Sequence, residues 1–416
     1  MADKTALPAP SRPEFIALVA GLMALNALAV DVMLPALPYM GDDLGVGSEN
    51  ERQFVISAYM VGFGAGQLAY GPITDRFGRR APLFVGMAIY IVCAFAATFS
   101  TSFALLLALR FVQGLGAAGT RVIATSVVRD KFSGREMAEV MSLTFMVFMA
   151  IPIIAPGIGQ VILLTGPWHY IFLFMSGLAA IMMVWAWLRL PETLPPERRR
   201  PFTFGAIVDG FRIVLSNRVA LSYGVAGTFL YGAMFGFIIS SQQIFVGIYE
   251  LGALFPVYFA VMAGVMGVAS FLNSRMVRHF GMRRLSHLGV LVYVAGAALL
   301  LVLSLVGQVP FWVFFATFLL MQFFFSFVAS NMNSLSMEPL GAVAGTAAAV
   351  FGFSQTVGGA IIGTLIGQQF NGTLTPLATG FLTMGLVAVG CALIAERGKL
   401  FGVGAEYAPQ SHAVSD

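Results

Sequence analysis

Two apolar runs, 53–73 and 81–99, meet at the stretch 71–80, GPITDRFGRR, where Asp75, Arg76, Arg79 and Arg80 are packed among turn-forming glycines. Each run has the length that crosses a hydrocarbon core, about 20 residues of helix. Four charges cannot lie in that core, so the stretch must be the tight turn of a membrane hairpin. Of the whole chain of 416 residues, 58% are hydrophobic and only 10% charged, with a mean hydropathy of +0.87. Soluble domains do not reach such values, and one anchor would not produce them. The 46 glycines and 38 phenylalanines suit helices that pack closely on each other and on lipid.

With about 20 residues per span and Pro, Gly and charge clusters as breaks, the chain divides into twelve helices. They are expected at 14–39, 53–73, 81–99, 103–128, 137–163, 167–189, 219–241, 254–274, 285–306, 309–332, 344–367 and 374–396. The first run exceeds a signal-peptide core and carries Asp31, so it reads as a retained span. The long connection 190–218, which begins PETLPPERRRP after Leu190, reads as a linker between an N-terminal six-helix bundle (1–189) and a C-terminal one (219–397), with a polar tail at 398–416. A faint repeat supports that division. The stretch 273–284, NSRMVRHFGMRR, sits between the eighth and ninth spans as GPITDRFGRR sits between the second and third, with Arg278 where the first copy has Asp75.

Charge sets the orientation. Of the 23 Lys and Arg residues, only Arg52 falls in an outer loop when the N-terminus is placed inside, and Arg110 and Arg121 fall within a span. All the others then lie in cytoplasmic loops, linker or tails, as the positive-inside rule requires, and both termini are expected in the cytoplasm at the inner (plasma) membrane. The net charge of +4 is thus a topology signal and not a nucleic-acid surface. Cys93 and Cys391 both lie in apolar runs, so no disulfide or metal framework is implied, and no cofactor is expected. A membrane-embedded enzyme would need clustered ligands at depth, yet His169, His279, His287 and His412 are scattered near span ends or in the tail. The loops are too short for channel filters, and no phosphate-binding Gly-x-x-x-x-Gly-Lys-Ser/Thr stretch occurs.

Asp31 lies in the first span, about 12 Å below its outer end at 1.5 Å per residue. An ionised carboxyl there costs on the order of 3 kcal/mol, so it should face the interior with a partner or a proton. Arg110 in the fourth span lies about 10 Å down, at matching depth, and is the expected partner. Gln113 falls one turn from it, and Gly114, Gly116 and Gly119 allow close helix approach. Arg121 is within snorkelling reach of the inner surface and reads as structural.

The pattern Gly71-x-x-x-Asp75-Arg76-x-Gly78-Arg79-Arg80 resembles the loop between the second and third helices of the major facilitator superfamily of transporters, where it serves as a gating motif. Residues 110–114, RFVQG, resemble a second motif of that superfamily, whose arginine is associated with proton transfer. The stretch 150–160, AIPIIAPGIGQ, resembles the antiporter motif of its exporters through Pro152, Pro156 and Gly159, with Ala155 and Gln160 where glycines are usual. Residues 331–368, together with the LPALP ending of the first helix, resemble the Bcr/CflA-type drug exporters. The resemblance implies an all-α integral membrane protein with twelve transmembrane helices in two pseudo-symmetric six-helix bundles. It implies a monomer that exports small, mostly apolar drugs, chloramphenicol- or bicyclomycin-like, in exchange for protons, with Asp31 and Arg110 in proton coupling. An exporter of an endogenous metabolite is the alternative. Asn26, Tyr59, Gln113, Met149, Phe235 and Gln322 stand in helices that line the cavity of the superfamily and are the candidate substrate contacts. Such a soft surface suits varied apolar compounds.

Overall fold

The structure, a computed structural model, describes residues 10–132, 134–199 and 212–401, and every regular element among them is helical. Within the N-terminal half these are α1 (Arg12–Asp31), α2 (Leu37–Asp43), α3 (Phe54–Phe77), α4 (Arg80–Ala97), α5 (Phe103–Lys131), α6 (Gly134–Thr165) and α7 (His169–Arg189). The C-terminal half has α8 (Arg218–Gln242), α9 (Phe255–Phe280), α10 (Met282–Val306), α11 (Phe311–Met337), α12 (Ala344–Phe353), α13 (Gly359–Gly367) and α14 (Thr375–Ala395).

Each of the twelve expected spans coincides with helix, and among the described residues ten helical stretches are long and apolar enough to cross a membrane. Helix α3 has the length, but Gln67, Tyr70, Asp75 and Arg76 dilute its apolar character, and of α6 only residues Ala150–Thr165 form a described apolar segment. Two spans are not the continuous helices expected. The first breaks after Asp31 into a 3₁₀ turn (Leu34–Ala36) and then α2, because Pro35 and Pro38 lack the N–H groups that would continue the helical ladder. The eleventh is interrupted by a π-turn, Ser354–Gly358, between α12 and α13. Residues 200–211 of the linker and 402–416 of the tail lie outside the described residues.

Helices α1 to α7 pack mainly on each other, as do α8 to α14. Two seams join the sets: α6 lies against α9, and α3 lies against α12, α13 and the π-turn between them. Within the first set α3 and α5 approach at backbone distance, where the Cα of Gly114 faces the Tyr59 carbonyl and that of Gly62 faces the Phe111 carbonyl. Van der Waals contact between such small residues is the usual source of helix association in lipid. The start of α1 is tied to the end of α7 by Glu14, which accepts from Arg189 at 2.6 Å.

The repeat is visible in backbone geometry. Gly78 ends α3 at φ 89°, ψ 176°, and Gly281 ends α9 at φ 78°, ψ 156°, a left-handed setting that favours glycine. Each turn is followed by an arginine held by a carboxylate near the end of its own half. Arg79 and Arg80 present backbone N–H groups to Glu192, and Arg283 donates to Glu396 at 2.7 Å.

Candidate functional site

Asp31 is the last residue of α1 and is 5% exposed. Its carboxyl makes no hydrogen bond or ion pair among the described residues. Gly159 of α6 packs against the break that follows: a side chain there would strike the Val32 carbonyl and the Pro35 ring. The antiporter-like stretch therefore meets the first span one residue beyond its carboxyl. Ala155 and Pro156 are buried on the same helix, Pro152 is half-buried, and α6 runs through both prolines as helix.

Arg110 does not contact Asp31, contrary to the direct pair expected from matching depth. The fully buried guanidinium donates to the Ala29 carbonyl at 2.8 Å, the Val55 carbonyl at 3.2 Å and Gln113 Oε1 at 2.7 Å. Ala29 belongs to the last turn of α1, whose carbonyls the break leaves short of helical partners. The arginine satisfies that backbone, and two residues along a helix turn the direction by about 200°, so Asp31 points elsewhere. The result is a clamp joining α1, α3 and α5.

Tyr59, also fully buried, lies under the clamp with its ring centre 4.3 Å from the Arg110 guanidinium carbon. Its hydroxyl donates to Asn26 Oδ1 at 3.2 Å, and the Asn26 amide donates to Thr120 Oγ1 at 2.9 Å. Gln113 lies beside the Tyr90 hydroxyl. Three candidate cavity residues, Asn26, Tyr59 and Gln113, thus form one network with Arg110. The other candidates do not join it. Phe235 packs on Gly359 and Gly363, and Gln322 is buried with its amide 3.7 Å from Met266 Sδ, both in the C-terminal half. The side chain of Met149 lies outside the described residues.

A polar seam crosses the two halves from the end of α3 remote from the arginine-rich turn. Asn50 donates to the Gln368 and Phe370 carbonyls at 3.1 and 2.9 Å and accepts from Gln243 at 2.8 Å. Gln53 bonds Gln243, Ser57 bonds Thr364 at 2.6 Å, and Gln67 reaches Thr356 at 3.2 Å. Beyond Gln67, toward the arginine-rich end, no hydrogen bond or ion pair among the described residues joins the halves. These residues are polar interruptions of apolar runs, the one sequence signal that could have marked them.

At the arginine-rich end, Asp75 pairs with Arg79 at 2.7 Å, and Arg79 also pairs with Asp130 at 2.8 Å. Burial opposes the Arg79 charge, but its bonds to Asp130 and Asp75 outweigh that and hold its pKa above the ordinary guanidinium value. The linker joins the cluster, with Glu192 accepting from the backbone N–H of Arg79 at 2.9 Å and Thr193 donating to Asp130 at 2.9 Å. A side chain at Gly78 would collide with that carboxylate. Arg80 donates to the Trp187 carbonyl at 3.0 Å, Arg76 lies against Phe77, and Gly71 has open space beside it. The sequence did not point to Glu192, nor to Arg79 as the partner of Asp75.

The model of one family, the Major Facilitator Superfamily, matches residues 19–364. A bicyclomycin resistance protein homolog of Haemophilus influenzae is 30% identical over 380 residues, which is 90% of this chain and 93% of that protein. An uncharacterized MFS-type transporter of Bacillus subtilis, YdgK, is 29% identical over 85% of this chain and 88% of its own length. Among solved structures, a D-xylose–proton symporter superposes with a TM-score of 0.70 at 14% identity, covering 92% of this chain and 96% of that one.

Proposed function

This chain belongs to the Major Facilitator Superfamily and is a multi-pass membrane transporter, not an enzyme, and we propose that it exports small, mostly apolar drugs in exchange for protons. The observation that carries the coupling is Asp31, a buried carboxyl at the break of α1 with no partner among the described residues, where the proline-bearing α6 packs against the break at Gly159. A carboxyl so placed can take and give a proton as neighbouring helices shift. The substrates are chloramphenicol- or bicyclomycin-like compounds, a reading supported by the resistance protein among the relatives. In an efflux-deficient bacterial host the chain should raise the inhibitory concentration of chloramphenicol or bicyclomycin, and a protonophore should remove the protection. Unchanged susceptibility to both drugs would overturn the reading.

In this proposal the protein works as a monomer in the inner membrane, with both termini and the 190–218 linker in the cytoplasm and bundles 1–189 and 219–397 rocking about the central site. The arginine-rich end is then the inner end. The bonded seam from Asn50 to Gln67 joins the halves at the outer end, and among the described residues no bond joins them at the inner end, which fits an inward-facing state. Topology is tested by cysteine labelling. A Pro195→Cys variant, with Cys93 and Cys391 replaced, should resist an impermeant maleimide in intact cells and react in everted vesicles. Labelling from outside would sink the orientation.

The cluster of Asp75, Arg79 and Asp130 belongs to the inner gate. In the inward-facing arrangement Asp75 is bound within its own half, half-exposed, and available to meet the positive end of a helix of the other half on closure. Asp75→Asn should cut the transport rate by about tenfold, the loss of one charged interaction, while expression and drug binding stay near parental values. Parental transport in that variant excludes the gating role.

A further inference from the structure

The fourth span carries two arginines in opposite conditions. Arg110 has its donors engaged and is fully buried. Arg121, about 16 Å farther along α5, is exposed, and its guanidinium makes no hydrogen bond or ion pair among the described residues. This exposure does not face lipid. Arg121 lies over the Phe63 ring at 5.9 Å, and Phe63 is stacked on Tyr59, which itself lies under Arg110. Its charge is also within electrostatic reach of Tyr231 of α8, a residue of the opposite half. The side chain therefore stands on the side of α5 toward the opposite half, with the Phe63 ring of its own half beside it.

Access comes from the arginine-rich end. The bonded seam stops at Gln67 and Thr356, and from Arg121 the residues at spacing four, Thr125 and Arg129, continue along α5 as a polar stripe that is half-buried and then exposed. Thr125 uses its hydroxyl proton on helix carbonyls, as the bond to Val122 at 2.9 Å shows, so it neither competes for an anion nor neutralises the arginine. A guanidinium carries five donors and keeps its charge at any working pH. Placing it at such depth is costly, and no carboxylate of the described residues repays that cost.

We propose that Arg121 is an anion subsite of the transport cavity, receiving the carboxylate of an otherwise apolar compound whose body lies against Phe63 and Tyr231. This rests on the export reading for the direction of transport, though not for binding. The planar fork matches a carboxylate in bidentate fashion, while the aromatic walls accept the body without fixed hydrogen bonds. Organic cations are disfavoured by the same charge. The substrate range is thereby set to neutral and monoanionic compounds.

The test compares 2-naphthoate with its uncharged amide, 2-naphthamide, by equilibrium dialysis against the purified full chain in detergent. The parent should bind the acid about tenfold more tightly, as one charge-assisted pair provides, and Arg121→Gln should bring the ratio to about one. Arg121→Lys should fall between. A ratio near one in the parent, or a preference for the acid that persists in Arg121→Gln, overturns the subsite. A second measurement needs no variant. Phenylglyoxal modification of Arg121 in the parent, followed by mass spectrometry, should be slowed by 2-naphthoate and not by 2-naphthamide, and equal protection by both also overturns it. The two readings fail separately. Arg121-dependent preference without energised uptake of chloramphenicol into everted vesicles removes the export reading and keeps the subsite, and uptake without that preference does the reverse.

Discussion

Replacing Asp31 by Asn is expected to abolish proton-driven export while leaving drug binding that no longer changes with pH. Asparagine keeps the size and polarity of the side chain but cannot exchange a proton, and among the described residues the native carboxyl has no partner whose loss would destabilise the fold. The break at Val32 and Pro35, set by proline chemistry and by contact with Gly159, should survive the change. In the cycle proposed above, the outward-facing state protonates Asp31 and the inward-facing state releases the proton to the cytoplasm. A membrane potential of about 100 mV supplies roughly 2.3 kcal/mol per charge moved, close to 1.7 decades of drug concentration per proton. All of that driving force is lost with the carboxyl. Two measurements decide: drug uptake into energised everted vesicles, and proton release on drug binding followed with a pH dye in lightly buffered detergent. If Asp31→Asn releases as many protons as the parent, the carrier is another residue, and Glu338, 3.7 Å from Arg283, is the next to examine.

Replacing Arg110 by Ala should remove both transport and a large part of the stability of the N-terminal half. The side chain is fully buried and ties α1, α3 and α5 through Ala29, Val55 and Gln113. Each of the three hydrogen bonds to a charged group contributes about 1.5–3 kcal/mol, and the void left over Tyr59 adds to the loss, so a total above about 4.5 kcal/mol is expected. Arg110→Lys keeps the charge but reaches only part of the fork's acceptors, and its transport should fall by about tenfold for each charged bond it fails to remake. Thermal unfolding in detergent and transport in vesicles should move together across this pair of variants. An Arg110→Ala protein that melts and transports like the parent would show that the clamp is dispensable.

Arg110 also illustrates what was legible beforehand. Its depth and the one-turn relation to Gln113 were evident from spacing alone. Its partner was not, because a matching depth leaves the rotation of each helix undetermined, and the structure turns the guanidinium to the Ala29 carbonyl and away from Asp31. The break after Asp31 was written in Pro35 and Pro38, yet a count of apolar residues runs straight through it. The candidate contacts divided in the same way. Asn26, Tyr59 and Gln113 meet in one network, whereas Phe235 and Gln322 are held by neighbours in the other half.

The sequence by itself determined the membrane, the helical spans, the two-fold repeat of the Phe-Gly turn and the family. The family follows from its motifs, and the rest from local requirements: hydrocarbon excludes charge, a helix satisfies its own backbone, and a left-handed turn favours glycine. Only the tertiary structure decided which polar groups meet. It closed the seam from Asn50 to Gln67, bound Asp75 to Arg79 and Glu192 to the turn, left Asp31 without a partner among the described residues, and set Arg121 over Phe63. The physical reason is that these helices are apolar on nearly every face, so the sequence carries no stripe to fix their rotation, and rotation emerges from close packing at small residues such as Gly62, Gly114 and Gly159.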